Sequence, residues 1–257
     1  MKTSTRNFEV PTNVGTTLSV QIHEDVTIRA DNLNLETWGS SLVLARRLHA
    51  IQIPNLNTSP LRRNIYHRCS SATKNAPCGP VIELGAGTGL VGISAAAIWK
   101  TGVTLTDLAP IVPALASNIA LNKDLLSSIG SSALSGALDW KHPSVLSVPV
   151  QASQERPQDL LAEHNRAQVI LAADTIYDSS HPEMLVEVIK TWLKPGPDSR
   201  VLIAYPVRVA YLQEIRELWE RMGRIGMEAV EEGKEELPKR DWDDETLIEW
   251  CVWRWKE

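Results

Sequence analysis

The chain has 257 residues, of which 43% are hydrophobic and 22% are charged. These values are typical of a globular protein with one large domain or two small ones. The formal net charge of −5 argues against tight binding to nucleic acid, which requires clustered Lys and Arg against phosphate. We therefore expect no nucleic-acid partner.

Two further classes are disfavoured by the sequence. No apolar run reaches membrane-spanning length, and the first ten residues lack the apolar core of a secretory signal, so we expect no membrane association and a location in the cytosol or also the nucleus. The three cysteines Cys69, Cys78 and Cys251 lack metal-ligand spacing, so neither a metal site nor a disulfide framework is predicted.

The N-terminal residues 1–34 are predicted to form an extension that carries a β-hairpin. Residues 18–30 contain two alternating apolar runs, and the polar triplet His23–Asp25 between them is the expected turn. Residues 35–257 form the predicted main domain. Within it, the proline-containing and polar residues 52–79 indicate a loop insertion.

The most informative stretch is Val81–Gly92. A short β-branched run that ends near Glu83, closely spaced glycines and an alanine-rich continuation predict strand, tight loop and helix. Such a loop lets backbone approach a nucleotide, and the helix N-terminus offers N–H groups to it. Two frames fit: Gly87–Gly92 matches the dinucleotide pattern G-x-G-x-x-G, whereas Glu83–Gly89 places the glycines directly after the strand.

From residue 80 onward, strands and helices alternate, which predicts a doubly wound α/β sheet. Three predicted strands end at carboxylates, namely Asp107, Asp139 and Asp174. Asp107 lies about twenty residues beyond the glycine loop, where Rossmann-like folds place the carboxylate that binds ribose hydroxyls. Residues 141–167 are predicted as a connection with one helix.

The end of the chain separates the two frames of the glycine loop. Residues 225–231 and 246–255 are predicted strands without an intervening helix, which favours an antiparallel edge. A dinucleotide-binding domain would add another strand–helix–strand unit here. An NAD(P)-dependent oxidoreductase is therefore the less favoured interpretation.

Six segments together resemble the protein-lysine branch of the seven-β-strand S-adenosylmethionine-dependent methyltransferases, which includes enzymes that modify elongation factors and chaperones. The resemblance implies a Rossmann-like doubly wound sheet of seven strands with an antiparallel last strand, and S-adenosyl-L-methionine as cofactor. The six segments are Leu35–Trp38, Glu83–Leu90, Thr106–Asp107, Asn118–Asn122, Leu138–Trp140 and Ala173–Tyr177.

The resemblance also implies a set of site residues. The cofactor would be bound by the acidic residue at the end of the first strand, the glycine loop and a carboxylate for the ribose. A polar–aromatic pair for the adenine and two further contacts would complete the binding site. In this sequence they are Glu83, Gly85, Ala86, Gly87, Asp107, Asp139, Trp140, Trp38 and Ala173. The motif D-x-x-Y, here Asp174 and Tyr177, would lie beside the substrate lysine.

The chemistry of methyl transfer to lysine is consistent with these residues. A sulfonium methyl is already activated, so the reaction requires in-line positioning and a deprotonated amine. Free lysine has a pKa of ~10.4, so the site must favour loss of a proton. Asp174 would orient the amine or accept its proton, and Tyr177 would pack against the aliphatic stem.

The sequence thus predicts a monomeric protein-lysine N-methyltransferase whose partner is a cytosolic protein with an accessible lysine, such as a translation factor or chaperone. A small-molecule or N-terminal amine methyltransferase with the same fold is one alternative. A non-catalytic binding protein that retains the cofactor is another. Two single residues also have alternatives to a role in the site. Asp174 could serve only as a helix N-cap, and Trp38 could serve only as a core residue.

Overall fold

A computed structural model describes residues 3–30, 33–56, 79–149, 157–242 and 246–257. The chain begins with a three-stranded antiparallel sheet in the order β1-β2-β3. Its strands are β1 (Thr3–Pro11), β2 (Thr17–Ala30) and β3 (Leu33–Leu35). Residues 57–78, most of the predicted loop insertion, lie outside the described residues.

The N-terminal hairpin lies earlier in the chain than predicted. β1 and β2 pair across a turn at residues 12–16, and His23 lies opposite Thr5 within β2. The predicted turn at His23–Asp25 is therefore wrong. A polar triplet is accommodated within a strand here because Glu24 is bonded by tertiary partners, Arg6 at 3.3 Å and the Thr37 N–H at 3.0 Å.

The main sheet contains nine strands in the described residues, in the order β11-β12-β10-β9-β4-β5-β6-β7-β8. They are β4 (Val81–Leu84), β5 (Gly102–Asp107), β6 (Ser132–Ala137), β7 (Val145–Val148), β8 (Gln158–Leu161), β9 (Val169–Ala173), β10 (Arg200–Pro206), β11 (Met227–Glu236) and β12 (Leu247–Trp255). β6, β5, β4, β9 and β10 are parallel, and β12 and β11 follow as antiparallel strands. These seven strands confirm the predicted doubly wound sheet with an antiparallel end.

The two remaining strands correct one prediction. Residues 141–167 were expected to form a connection with one helix, but they also contain β7 and β8, which extend the sheet beyond β6 as an antiparallel pair. Each has four residues, which is too short for a period-two pattern to be distinctive. Pairing with the edge of the sheet, rather than local pattern, makes them strands.

Helices cover both faces of the main sheet. They are α1 (Gly39–Arg47), α2 (Leu90–Trp99), α3 (Val112–Leu121), α4 (Lys123–Ser128), α5 (Ala162–Asn165), α6 (His181–Trp192), α7 (Leu212–Arg224) and α8 (Lys239–Trp242), with a 3₁₀ turn at Val209–Tyr211. Among the described residues, no helix is long and apolar enough to span a membrane.

Alternation along the central strands divides the core into two clusters. Val81 and Val169 point to the cluster that contains α1, α2 and the N-terminal sheet, whereas Ile82 and Ile170 point to the cluster with α6 and α7. All of these side chains are fully buried. Because both faces are covered, the polar ends of the parallel strands are the natural place for a ligand.

Candidate active site

A cleft opens at the carboxyl ends of β4, β5 and β9. Residues from the ends of these strands and from the loops that follow them line it. All the predicted site residues except Glu83 line it: Trp38, Gly85, Ala86, Gly87, Asp107, Asp139, Trp140, Ala173, Asp174 and Tyr177.

The glycine loop between β4 and α2 forms one wall of the cleft. Gly85 and Gly87 have φ values of +62° and +54°, a conformation that favours glycine. The Ala86 N–H donates to the Thr106 carbonyl at 2.9 Å, which ties the loop to β5. The backbone of the loop is thus held in a fixed shape against the cleft.

Asp107 fixes the other end of that loop. Its Oδ2 accepts the Gly87 N–H at 2.7 Å, and its Oδ1 accepts the Leu108 N–H at 2.7 Å. The carboxylate is half-buried at the end of β5. It therefore lies next to the glycine loop in a defined orientation, as a ribose-binding carboxylate would.

Glu83 lies beneath the loop rather than in the wall of the cleft. Its side chain is buried, and Oε2 accepts the Gly92 N–H from the first turn of α2 at 2.9 Å. Burial raises the pKa of Glu83 to about 8, against an ordinary value of 4.5. In this position Glu83 fixes the start of the helix that follows the loop.

Asp139 and Trp140 line the cleft beside the glycine loop. Asp139 is exposed and accepts the Lys141 N–H at 2.9 Å, so it is part of a turn. Trp140 is half-buried, and an added Cβ at Gly85 would lie 3.5 Å from its ring. The indole and the loop backbone therefore face each other closely.

The D-x-x-Y segment forms a further part of the cleft wall. Asp174 follows β9 with φ +57°, and its N–H donates to the Ala204 carbonyl at 2.9 Å. Its side chain is 7% exposed and forms an ion pair with Arg208, Nη1 to Oδ1, at 3.4 Å. Helix α6 begins only at His181, with Ser180 as its N-cap residue, so Asp174 is not a helix cap.

Tyr177 is held by His181. The two rings meet edge to face, with centroids 4.3 Å apart, and the Tyr177 N–H donates to His181 Nδ1 at 3.4 Å. The His181 ring also approaches Trp140 edge-on at 6.0 Å. One buried imidazole thus connects the predicted catalytic tyrosine with the predicted adenine contact.

The two remaining predicted contacts lie at element ends. Trp38 immediately precedes α1, and Ala173 is the last residue of β9. Both line the cleft. The guanidinium of Arg208 lies 5.9 Å from the centre of the Trp38 ring.

Sequence reasoning missed two residues of this region, His181 and Arg208. The four-residue spacing from Tyr177 to His181, the first residue of α6, is a signal that was available. No local pattern connects Arg208 to Asp174. The two meet because β9 and β10 are parallel neighbours, with Ala173 paired to Ala204.

The predicted motif Asn118–Asn122 covers the end of α3 and its C-cap residue Asn122, and it binds the N-terminal sheet. Asn118 Oδ1 accepts the His23 N–H at 2.8 Å, and its Nδ2 donates to the carbonyls of His23 and Thr88. Asn122 makes the equivalent pair of bonds to Gln21. This motif therefore joins β2, α3 and the glycine loop.

The sequence profile of the lysine methyltransferase family matches residues 18–218, and the chain belongs to this family. The predicted class is thereby confirmed. The same match favours the frame of the glycine loop that begins at Glu83 over the dinucleotide frame.

Two curated relatives are similar over most of the chain. The protein-lysine N-methyltransferase EFM2 of Saccharomyces cerevisiae is 33% identical over 83% of this chain, which spans 46% of that protein. The protein-lysine N-methyltransferase rrg1 of Schizosaccharomyces pombe is 29% identical over 99% of this chain and 71% of its own length. The chain therefore spans about half the length of the first relative.

A solved structure also aligns with the chain. It is the magnesium protoporphyrin IX methyltransferase of Synechocystis PCC 6803 with bound SAM, at 12% identity and a TM-score of 0.47. The alignment covers 85% of this chain and 92% of that one.

Proposed function

We propose that this chain is an S-adenosyl-L-methionine-dependent protein-lysine N-methyltransferase. The observation that carries the proposal is that the nearly buried carboxylate of Asp174 and the ring of Tyr177 line the same cleft as the glycine loop and Asp107. A donor side and an acceptor side thus meet in one cavity.

The residues on the donor side fit the cofactor. At Gly85 a side chain would meet Thr175 Cγ2 at 3.2 Å, so bare backbone is needed at this wall. Gly85, Ala86 and Gly87 would hold the amino-acid moiety, and Asp107 would accept hydrogen bonds from the ribose hydroxyls. Trp140, with Asp139, would contact the adenine, and Trp38 and Ala173 would complete the pocket.

On the acceptor side, the bound cofactor supplies an activated methyl group on a sulfonium. The task of the protein is to present a neutral amine in line with that group. Asp174 would accept a hydrogen bond from the amine and orient its lone pair. Tyr177, held by His181, would pack against the four-carbon stem of the lysine.

A protein substrate is favoured over a small molecule because the two curated relatives are named protein-lysine N-methyltransferases. The net charge of −5 suits a neutral or basic protein partner, such as a translation factor or chaperone. We further propose that the enzyme acts as a monomer in the cytosol or nucleus.

The test is to incubate cell lysate with radiolabelled S-adenosyl-L-methionine and either the wild type or Asp174→Asn. Asparagine is the appropriate replacement because it tolerates the left-handed backbone at this position. We expect the wild type to label a discrete protein band on lysine, and Asp174→Asn to reduce that labelling by at least about 100-fold.

The matched control is Asp178→Asn, an exposed aspartate of the same loop, which should label like the wild type. Amino-acid analysis of the band would identify methyl-lysine. Label that appears only in small molecules or on N-terminal amines would support the alternative substrates. Labelling that persists in Asp174→Asn would remove Asp174 from the mechanism.

A further inference from the structure

Arg208 occupies a fixed position behind the acceptor wall. It lies two residues after β10, where its N–H donates to the Pro206 carbonyl at 3.0 Å and its own carbonyl accepts the Tyr211 N–H at 3.0 Å. The side chain is 18% exposed. Its backbone is therefore anchored on both sides, so the direction of the side chain is well defined.

The guanidinium of Arg208 contacts three elements at once. Nη1 lies 3.4 Å from Asp174 Oδ1, and the guanidinium carbon is 5.9 Å from the centres of both the Trp38 and the Tyr211 rings. These distances are at the limit of cation–π attraction, about 6 Å. Arg208 thus joins the D-x-x-Y wall to the tryptophan at the start of α1.

An ion pair that is largely buried adds little net stability over an apolar pair of the same shape, because both charges lose water. What it does provide is orientation, since the planar guanidinium is a rigid group with fixed donor directions. We propose that Arg208 is a positioning residue that fixes the Asp174 carboxylate relative to the Trp38 indole. This inference rests on the proposed function of Asp174.

The charge of Arg208 has a second consequence for the reaction. The carboxylate of Asp174 and the guanidinium together carry no net charge, so this pair attracts a protonated lysine less strongly than a carboxylate without a cation would. A neutral amine, the reactive form, is then held through hydrogen bonding and packing. Arg208 acts through Asp174 and Trp38 and does not itself line the cleft.

The test compares Arg208→Gln and Arg208→Lys with the wild type, using the lysate protein that the wild type labels as substrate. We expect Arg208→Gln to lower the labelling rate at saturating cofactor about 10- to 100-fold. The KM for S-adenosyl-L-methionine should rise by less than about fivefold, because the glycine loop and Asp107 are untouched. Arg208→Lys should recover part of the rate, because it keeps the charge but not the planar shape.

Two measurements separate positioning from a general loss of structure. Calorimetry with S-adenosylhomocysteine should show unchanged binding stoichiometry in Arg208→Gln, and the exposed control Arg216→Gln should match the wild type throughout. A rate within twofold of the wild type would overturn the proposal. So would a rate loss that equals the loss in binding stoichiometry.

A double-mutant cycle in unfolding temperature tests the pair without any activity. Arg208→Gln should lower the midpoint by about 5 °C or more, because it leaves a buried carboxylate without its cation. The same change in an Asp174→Asn background should cost less than half of that. Additive shifts would overturn the pairing. A wild type that labels no protein would instead refute the proposed function, while the cycle would still decide the pairing.

Discussion

The position of Glu83 in the structure differs from the position that the glycine-loop motif suggests. The resemblance assigns it to the cofactor, whereas in the structure its carboxyl lies beneath the loop and accepts the Gly92 N–H. Burial raises its pKa to about 8, so the folded protein keeps this group protonated over much of the neutral range. The group therefore links stability to pH.

The raised pKa of Glu83 fixes the direction in which stability changes with pH. Between the ordinary pKa of 4.5 and the folded value of about 8, the folded state holds a proton that the unfolded chain has released. Stability from this group therefore falls as pH rises through that window. We expect the free energy of unfolding of the wild type, relative to Glu83→Gln, to decrease from pH 5 to pH 8 in chemical denaturation.

The exposed Glu9→Gln is the matched control for the removal of one carboxyl group. A Glu83→Gln difference that stays constant from pH 5 to pH 8 would show that the buried carboxyl does not titrate as proposed.

At the scale of elements, α2 is the helix that the glycine loop leads into, and all ten of its residues are buried. Its small residues let it approach β4 and β5 closely. Gly92 is the tightest point, because a Cβ there would lie 2.7 Å from Leu105 Cγ and would also collide with the Glu83 carboxyl. Packing, rather than helix propensity, requires glycine at this position.

We therefore expect Gly92→Ala to be destabilising although alanine is the better helix former. Overpacking of this kind typically costs about 1–3 kcal/mol. The matched control is Gly223→Ala in α7, where an added Cβ meets nothing within 4 Å. That change should be neutral or stabilising by about 0.5 kcal/mol. Thermal unfolding of both variants decides the matter, and two equal midpoints would contradict the packing argument.

At the scale of the whole molecule, the N-terminal sheet is attached to the site by buried polar bonds. Asn118 is 1% exposed and bonds to both His23 of β2 and Thr88 of the glycine loop. Thr37, just before α1, shares a buried 3.0 Å hydrogen bond with Thr88. The N-terminal residues thus support the cofactor loop from outside the main sheet.

Removing Asn118 should weaken this attachment without affecting the central strands. Asn118→Ala leaves the partly buried N–H and C=O of His23 and the buried Thr88 carbonyl without this partner, at a cost of about 1–3 kcal/mol. We expect faster hydrogen exchange of the β2 amides than in the wild type, with β4 and β9 unchanged. Asn165→Ala, whose amide donates to the Leu161 carbonyl at an exposed site, is the control. Unchanged exchange in β2 would refute the attachment.

Much of this architecture is predictable because it is local. Short-range patterns mark the apolar runs that end in Asp107 and Asp174, the glycine loop and the final two strands. Parallel strands then bring their carboxyl ends to one edge of the sheet. Residues at those ends were therefore expected to share a cleft, and they do. The short strands β7 and β8 were missed because four residues carry too little pattern.

The sequence by itself determined the order of the seven main strands, the class of protein and ten of the residues that line the cleft, since motifs, spacing and residue type suffice for these. Only the tertiary structure decided where the N-terminal hairpin turns, that Glu83 lies under the loop and that Arg208 meets Asp174. The reason is physical: each of these depends on which distant backbone packs alongside. A contact between residues of neighbouring strands leaves no pattern in the local sequence.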